Sequence, residues 1–167
     1  HLWYRRQRQM CIRDRPSVQG GAWTFVDSVD DPGGTTVVAE FGAAVSLSRS
    51  QLFVGAPGDD ASGSLAGAVR VYEMDPYTSA LSSMAVLTPP SPYPYRRFGA
   101  AIDSTEYSLA IGAPENHAFS SGSGSAHFYD VEHDEPPIYI GGLEPETIVP
   151  GMGFGSVSYT HLTLPTI

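Results

Sequence analysis

Short apolar runs separated by turn residues dominate the middle of the chain. The runs are rich in Val, Leu, Ile and aromatic residues, and Gly, Ser, Pro and Asp lie between them. Runs of this length and composition are typical of β-strands. The pattern predicts strands at 43–47, 51–56, 68–72 and 84–87, and again at 100–103, 108–113, 125–131 and 138–140. We therefore predict an all-β fold.

The two sets of strands are copies of one repeat. FGAAV at 41–45 returns as FGAAI at 98–102, FVGAP at 53–57 as AIGAP at 110–114, and GAVRVY at 67–72 as GSAHFY at 124–129. All three blocks recur 57 residues later, and a third Phe-Gly pair follows at 154–155. Four short strands per repeat are typical of a propeller blade, which needs neighbouring blades to bury its faces. We predict an incomplete β-propeller of about two four-stranded blades plus partial blades.

The repeat divides the chain into segments. We assign 16–40 to the outer strand of a preceding blade and a connector, because AWTFVD at 22–27 alternates apolar and polar residues. We assign 41–97 and 98–153 to two blades, and 154–156 to the start of the next blade.

The run MCIRDR at 10–15 and the segment 157–167 resemble peptides translated from sequencing-adapter sequence. We expect 1–15 to be an artefact or a disordered tail and 157–167 to be an artefact. The alternative for 1–15 is a basic nucleic-acid-binding arm, because five of the nine Arg lie there.

The repeated small residues predict how the blades pack. Gly55 and Gly112 lie inside strands, where Gly is unfavourable unless another backbone approaches closely. Pro57 and Pro114 are expected to end their strands, because Pro donates no ladder hydrogen bond. The Phe of each Phe-Gly pair is a predicted wedge between blades, or alternatively an ordinary core aromatic. The full structural motif is Phe41, Gly42, Gly55, Ala56, Pro57, Phe98, Gly99, Gly112, Ala113, Pro114, Phe154 and Gly155.

The order Phe-Gly, Val-Gly-Ala-Pro and Gly-Ala-Val-x-Val-Tyr resembles the FG-GAP repeat of integrin alpha-subunit propellers. The resemblance covers about 140 residues, and it is more specific for fold than for function. It implies a seven-bladed propeller in an extracellular or cell-surface protein, often one concerned with adhesion or ligand binding. Seven such blades need about 400 residues. We therefore expect this chain to be a piece of a longer one, with the remaining blades as its partners.

Composition excludes several classes of function. The chain has 18 Gly and 14 Pro among 167 residues, which disfavours long helices. It contains no apolar run near the ~20 residues of a membrane span. A formal net charge of -9 and the absence of Lys disfavour nucleic acid as a partner. Residues 16–156 contain no Cys and therefore no disulfide framework.

Metal and catalytic motifs are absent from the pattern. Many FG-GAP blades carry an Asp-rich calcium loop, but here the connection 46–51 has no carboxylate and 103–107 has only two. We therefore expect no metal or cofactor at these blades, although calcium is possible elsewhere in a full-length protein of this type. His117, His127 and His133 lack the i, i+4 spacing of a zinc pair, and SSGSGS at 120–125 lacks Gly-x-Ser-x-Gly. We predict no catalytic residue and no enzyme activity.

Four long loops, 58–66, 88–97, 115–124 and 144–153, are expected on one face of the blades. Long loops on a rigid scaffold commonly bind ligands. The exposed candidates on this face are Asp59, Asp60, Tyr93, Tyr95, Arg96, Arg97, His117 and Phe119. The Pro-Tyr stretch within 89–97 is interpreted as a stiff blade-to-blade connector, with a peptide ligand for an aromatic groove as the alternative. We predict a non-enzymatic module for extracellular protein or glycan recognition; the alternative is a scaffold propeller attached to an enzyme such as a hydrolase.

Overall fold

The structure is a computed structural model that describes Phe25 and residues 27–31, 39–48, 50–91, 94–114, 124–146 and 153–156. Within these residues the chain forms eight strands and no helix. The strands are β1 (Val45–Ser48), β2 (Gln51–Ala56), β3 (Ala68–Met74), β4 (Leu81–Leu87), β5 (Ala101–Ser104), β6 (Ser108–Ala113), β7 (Ser125–Asp130) and β8 (Ile138–Leu143). They make two four-stranded antiparallel sheets in the orders β1-β2-β3-β4 and β5-β6-β7-β8. The prediction of an all-β, incomplete propeller with two four-stranded blades is confirmed. The described segments include no helix that could cross a membrane.

Strand bounds follow the hydrophobic pattern, with departures at the ends. β2 and β6 have the predicted bounds. β1 begins two residues later than predicted, because residues 41–44 form a turn in which the Ala43 amide donates to the Glu40 carbonyl at 3.1 Å. β4 begins earlier than predicted, at Leu81, whose amide donates to the Asp27 carboxylate at 2.9 Å. Phe25 and Asp27 form no strand, and the rest of the strand predicted at 22–27 lies outside the described residues.

The two sheets repeat in detail as well as in outline. A β-bulge interrupts β3 between Val71 and Tyr72, and another interrupts β7 between Phe128 and Tyr129, at the equivalent place in the repeat. An isolated parallel bridge joins Gly67 to Phe98, and a second joins Gly124 to Phe154. Each bridge ties the entry of the third strand in one sheet to the Phe-Gly pair that follows that sheet. Phe154 therefore makes the same contact with Gly124 that Phe98 makes with Gly67.

The hydrophobic core lies between the two sheets. Phe53, Val69 and Val71 contribute from the first sheet, and Leu109 and Ile111 from the second; all five are buried. Because alternate residues of a strand point to opposite faces, these residues define one inward face on each sheet. Phe98 is fully buried in the same cluster, which contains residues of both sheets. Phe41 and Phe154 are half-buried.

Two in-strand glycines allow close approach of the neighbouring chain. A Cβ atom added to Gly55 would overlap the carbonyl oxygen of Gly99, and one added to Gly112 would overlap the carbonyl oxygen of Gly155. The predicted backbone approach is therefore confirmed at both positions. Pro57 and Pro114 follow directly on the last residues of β2 and β6, as expected.

Candidate functional site

The long-loop face, defined here as residues 58–66 and 94–97, is held together by backbone hydrogen bonds. The Tyr95 amide donates to the Ser64 carbonyl at 2.8 Å, and the Arg97 amide donates to the Leu65 carbonyl at 3.1 Å. The Phe98 amide continues the ladder to the Ala66 carbonyl at 3.0 Å. The β2–β3 loop and the β4–β5 connector therefore form one surface, which brings the candidates Asp59 and Asp60 close to Tyr95, Arg96 and Arg97.

Asp59 holds the β2–β3 loop from inside. Its Oδ1 accepts the Ala61 amide at 2.8 Å, and its Oδ2 lies 3.1 Å from Nη2 of Arg70. The same Arg70 nitrogen lies 3.7 Å from the Asp31 carboxylate. Asp59 is only 8% exposed, so the expectation that it is an exposed side chain is wrong. The physical reason is that a carboxylate facing an Arg on the adjacent strand is drawn towards it and away from solvent.

Arg96 is also buried, at 3% exposure, which overturns the expectation of an exposed side chain. It precedes the fully buried Phe98 at the point where the connector enters the second sheet, and this junction covers it. Its positive charge lies near His127 and contributes to lowering the pKa of that imidazole. Arg96 therefore supports the blade junction.

The remaining described candidates lie at the surface. Asp60 is exposed, and its Oδ1 accepts the Leu65 amide at 2.7 Å. Tyr95 is 44% exposed and has a positive φ of 64°, which fixes an unusual backbone direction at the loop tip. Arg97 is half-buried and pairs with Glu40 at 2.7 Å. Tyr93, His117 and Phe119 lie outside the described residues, and their placement on this face stays a prediction.

A buried Ser–His pair lies in the second sheet, near the junction. Ser125 Oγ and His127 Nε2 are 3.0 Å apart, and Phe98 packs edge-on against the imidazole with ring centroids 5.4 Å apart. Burial, with a smaller contribution from Arg96, lowers the pKa of His127 from 6.5 to about 4. Both side chains are buried, so no substrate reaches Ser125 in this structure. The imidazole is neutral in this environment, and the pair contributes to the packing of the sheet.

Sequence reasoning missed a cavity at the opposite end of the sheets. It has a volume of about 300 Å³ and lies between the β1–β2 turn and the β5–β6 and β7–β8 connections. Its lining comprises Ser48, Ser50, Gln51, Glu106, Tyr107, Asp130, Val131, Glu132 and His133. The one clue in the sequence is Gln51, a polar residue in a strand that is otherwise apolar except for its glycine. No group of three or more His, Cys, Asp or Glu within the described segments is arranged to hold a metal ion.

Comparison with known proteins identifies the first copy of the repeat. No curated protein matches the chain significantly. The family model described as FG-GAP repeat matches residues 33–72, a span that includes β1, β2 and β3 as far as Tyr72. The second sheet reproduces the strand order, bulge and glycine contact of the first. The chain thus contains an FG-GAP repeat, as its Phe-Gly and Gly-Ala-Pro blocks predict.

Proposed function

We propose that the chain is a non-enzymatic propeller module that recognises a protein or glycan ligand outside the cell or at its surface, through the long-loop face. The observation that carries the proposal is the backbone ladder between residues 64–66 and 95–98. It makes two loops from successive parts of the chain into one surface. FG-GAP repeats occur in extracellular and cell-surface proteins, which supports the proposed location.

Rigidity favours this face as a recognition surface. A ligand that binds loops already held in place does not have to offset the entropy of ordering them. Asp59 anchors the β2–β3 loop to Arg70, and Asp60 closes the same loop through the Leu65 amide. The face is therefore preorganised in the part of it that the structure describes.

The exposed groups of the face suit a polar ligand. Tyr95 offers an aromatic ring that packs against an apolar face of a sugar or a side chain, and its hydroxyl is a hydrogen-bonding group. Asp60 offers a carboxylate oxygen as acceptor. Tyr93 lies two residues from Tyr95 in the connector, and we propose that it adds a second ring. Aromatic residues of this type commonly dominate binding energy at recognition surfaces.

Binding to an array of glycans and extracellular-matrix proteins tests the proposal. The chain should bind at least one component of the array. The double variant Tyr93→Ala/Tyr95→Ala should then bind that component at least ten-fold more weakly, because it removes both rings from the face. Affinity is measured by biolayer interferometry, and folding is checked by circular dichroism.

Tyr77→Ala is the matched control. Tyr77 is 94% exposed in the β3–β4 turn, at the end of the first sheet remote from the long-loop face. Its substitution should leave the affinity unchanged. Equal affinities for the parent chain and a folded Tyr93→Ala/Tyr95→Ala variant would reject the long-loop face as the recognition surface.

A further inference from the structure

The buried histidine His127 lies against the end of the backbone ladder that holds the long-loop face. It is 4% exposed, and the fully buried ring of Phe98 packs edge-on against its imidazole. Phe98 is the last residue of the ladder that joins the β4–β5 connector to the β2–β3 loop, because its amide donates to the Ala66 carbonyl at 3.0 Å. His127 is therefore in contact with the residue at which the ladder ends.

The surroundings of His127 suit the neutral imidazole better than the imidazolium. Nε2 lies 3.0 Å from the Ser125 hydroxyl, whereas Nδ1 is buried and has no hydrogen-bond partner among the described residues. A protonated ring carries an N–H donor on both nitrogens, so the Nδ1 donor would be buried without an acceptor. An unsatisfied donor on a charged ring is more unfavourable than an unsatisfied lone pair on a neutral one. The closed junction therefore resists protonation.

The charged group that faces His127 is itself positive. Burial, and in addition the charge of Arg96, lower the pKa of the imidazole from 6.5 to about 4. Arg96 belongs to the connector and is 3% exposed. On the second sheet, the ring of Tyr139 lies 6.2 Å from the imidazole between centroids, and Tyr129 packs against Tyr139. A phenol carries no charge in acidic solution, so neither ring offsets a positive charge on His127.

We propose that protonation of His127 opens the ladder between residues 64–66 and 95–98, so that mild acid loosens the long-loop face before the sheets unfold. In the open ladder, Phe98 and Arg96 move away from the imidazole, and water reaches both ring nitrogens. The open form then binds a proton that the closed form excludes, and acid shifts the population towards it. Release of a ligand in acid rests on the proposed function of this face, whereas the opening of the ladder does not.

Hydrogen–deuterium exchange of the 167-residue chain, followed by mass spectrometry, tests the opening without a ligand. The amides of Tyr95, Arg97 and Phe98 donate the ladder bonds, and their protection is calculated from the intrinsic exchange rate at each pH. With a histidine pKa of 6.5 in the open form and about 4 in the closed form, this protection should fall about 20-fold between pH 7 and pH 5. Between pH 8 and pH 7 it should change by less than about two-fold, since the imidazole is mostly neutral in both forms.

The amides of β2 separate this opening from unfolding of the whole chain. β2 is paired with a strand on both sides, so its amides should be more protected than the ladder amides at both pH values. A ladder that is as protected as β2 would mean that the ladder opens only when the chain unfolds, and this result would overturn the proposal.

His127→Gln removes the titrating group, so its ladder amides should be almost equally protected at pH 7 and pH 5. Tyr139→Phe is the matched control, because it changes a ring beside the imidazole but keeps His127, and it should retain the fall of about 20-fold. An equal fall in His127→Gln, or constant protection in the parent chain between pH 7 and pH 5, would also overturn the proposal. If circular dichroism shows that His127→Gln does not fold, the profile of the parent chain from pH 8 to pH 5 decides.

Discussion

At the scale of single residues, the contact between Gly55 and Gly99 limits which side chains fit at the blade junction. Gly55→Ala places a methyl group on the Gly99 carbonyl, and backbone on both sides must shift. Because overpacking of this kind is unfavourable by about 1–3 kcal/mol, we expect the free energy of unfolding to fall by that amount. Urea denaturation followed by circular dichroism measures it.

Gly141→Ala is the control for this prediction. Gly141 also lies inside a strand, but a Cβ added there meets no atom within 4 Å. Alanine has less freedom to lose on folding than glycine, so the variant should be as stable as the parent or up to about 0.5 kcal/mol more stable. A Gly55→Ala protein as stable as Gly141→Ala would show that the junction yields to the added methyl group.

His127 makes stability depend on pH in mildly acidic solution. Burial, assisted by the charge of Arg96, lowers its pKa from 6.5 to about 4 in the folded chain. Between these values the unfolded chain binds a proton that the folded chain does not bind, so stability is complete above pH 6.5 and falls as the pH approaches 4. The expected loss is at most about 3 kcal/mol. Urea denaturation at a series of pH values from 7 to 4 measures it.

His127→Gln isolates this contribution. Glutamine retains a polar group near Ser125 but does not titrate, so the dependence of stability on pH between 6.5 and 4 should flatten. An unchanged slope in His127→Gln would mean that other groups cause the acid destabilisation.

At the scale of strands and loops, the sequence predicts those features that depend on residues close together in the chain. Strand centres follow from apolar runs. β2 and β6 match the prediction at both ends, and Pro57 and Pro114 account for their C-terminal ends. The start of β4 was not predictable, since Leu81 is joined to Asp27, 54 residues away in the chain. Contacts between distant segments leave little trace in a local pattern.

The candidate site shows the same limit. Loop length and composition predicted the long-loop face, and the backbone ladder shows that its two described loops are adjacent. The burial of Asp59 could not be predicted from the local pattern, because it depends on Arg70 of the next strand. The burial of Arg96 could not be predicted either, because it depends on the junction of two sheets. The cavity was missed for a similar reason: its lining comes from turns of two different blades.

At the scale of the whole molecule, each sheet has exposed apolar residues on the face turned away from the other sheet. Val45 and Leu47 of β1 are more than half exposed and alternate with Ser46 and Ser48, which contact the second sheet. On the second sheet, Ile138, Ile140 and Leu143 of β8 are more than half exposed. Ile138 and Leu143 pair with Asp130 and Ala126, on the face of β7 opposite Tyr129. The exposed face of the first sheet and the exposed face of the second sheet are therefore opposite faces of the repeated four-stranded unit.

These faces predict self-association of the 167-residue chain. The second sheet of one copy presents apolar residues where a following sheet packs in the repeat, and the first sheet of another copy presents Val45 and Leu47 in the complementary position. Contacts of this head-to-tail kind do not close after two copies, and unpaired edge strands add to the tendency. We expect oligomers or poor solubility under reducing conditions, measured by size-exclusion chromatography with light scattering.

Charge on the exposed face of the second sheet should reverse this behaviour. Ile138→Lys/Ile140→Lys places two cations on β8 that are solvated in the monomer but would lose water against the apolar face of another copy, so the monomer fraction should rise several-fold. Tyr77→Lys adds a cation at an exposed turn away from both faces and should leave the oligomer distribution as it is. A parent chain that is monodisperse and melts cooperatively as a monomer would contradict the argument, because two packed sheets would then be sufficient without neighbours on either side.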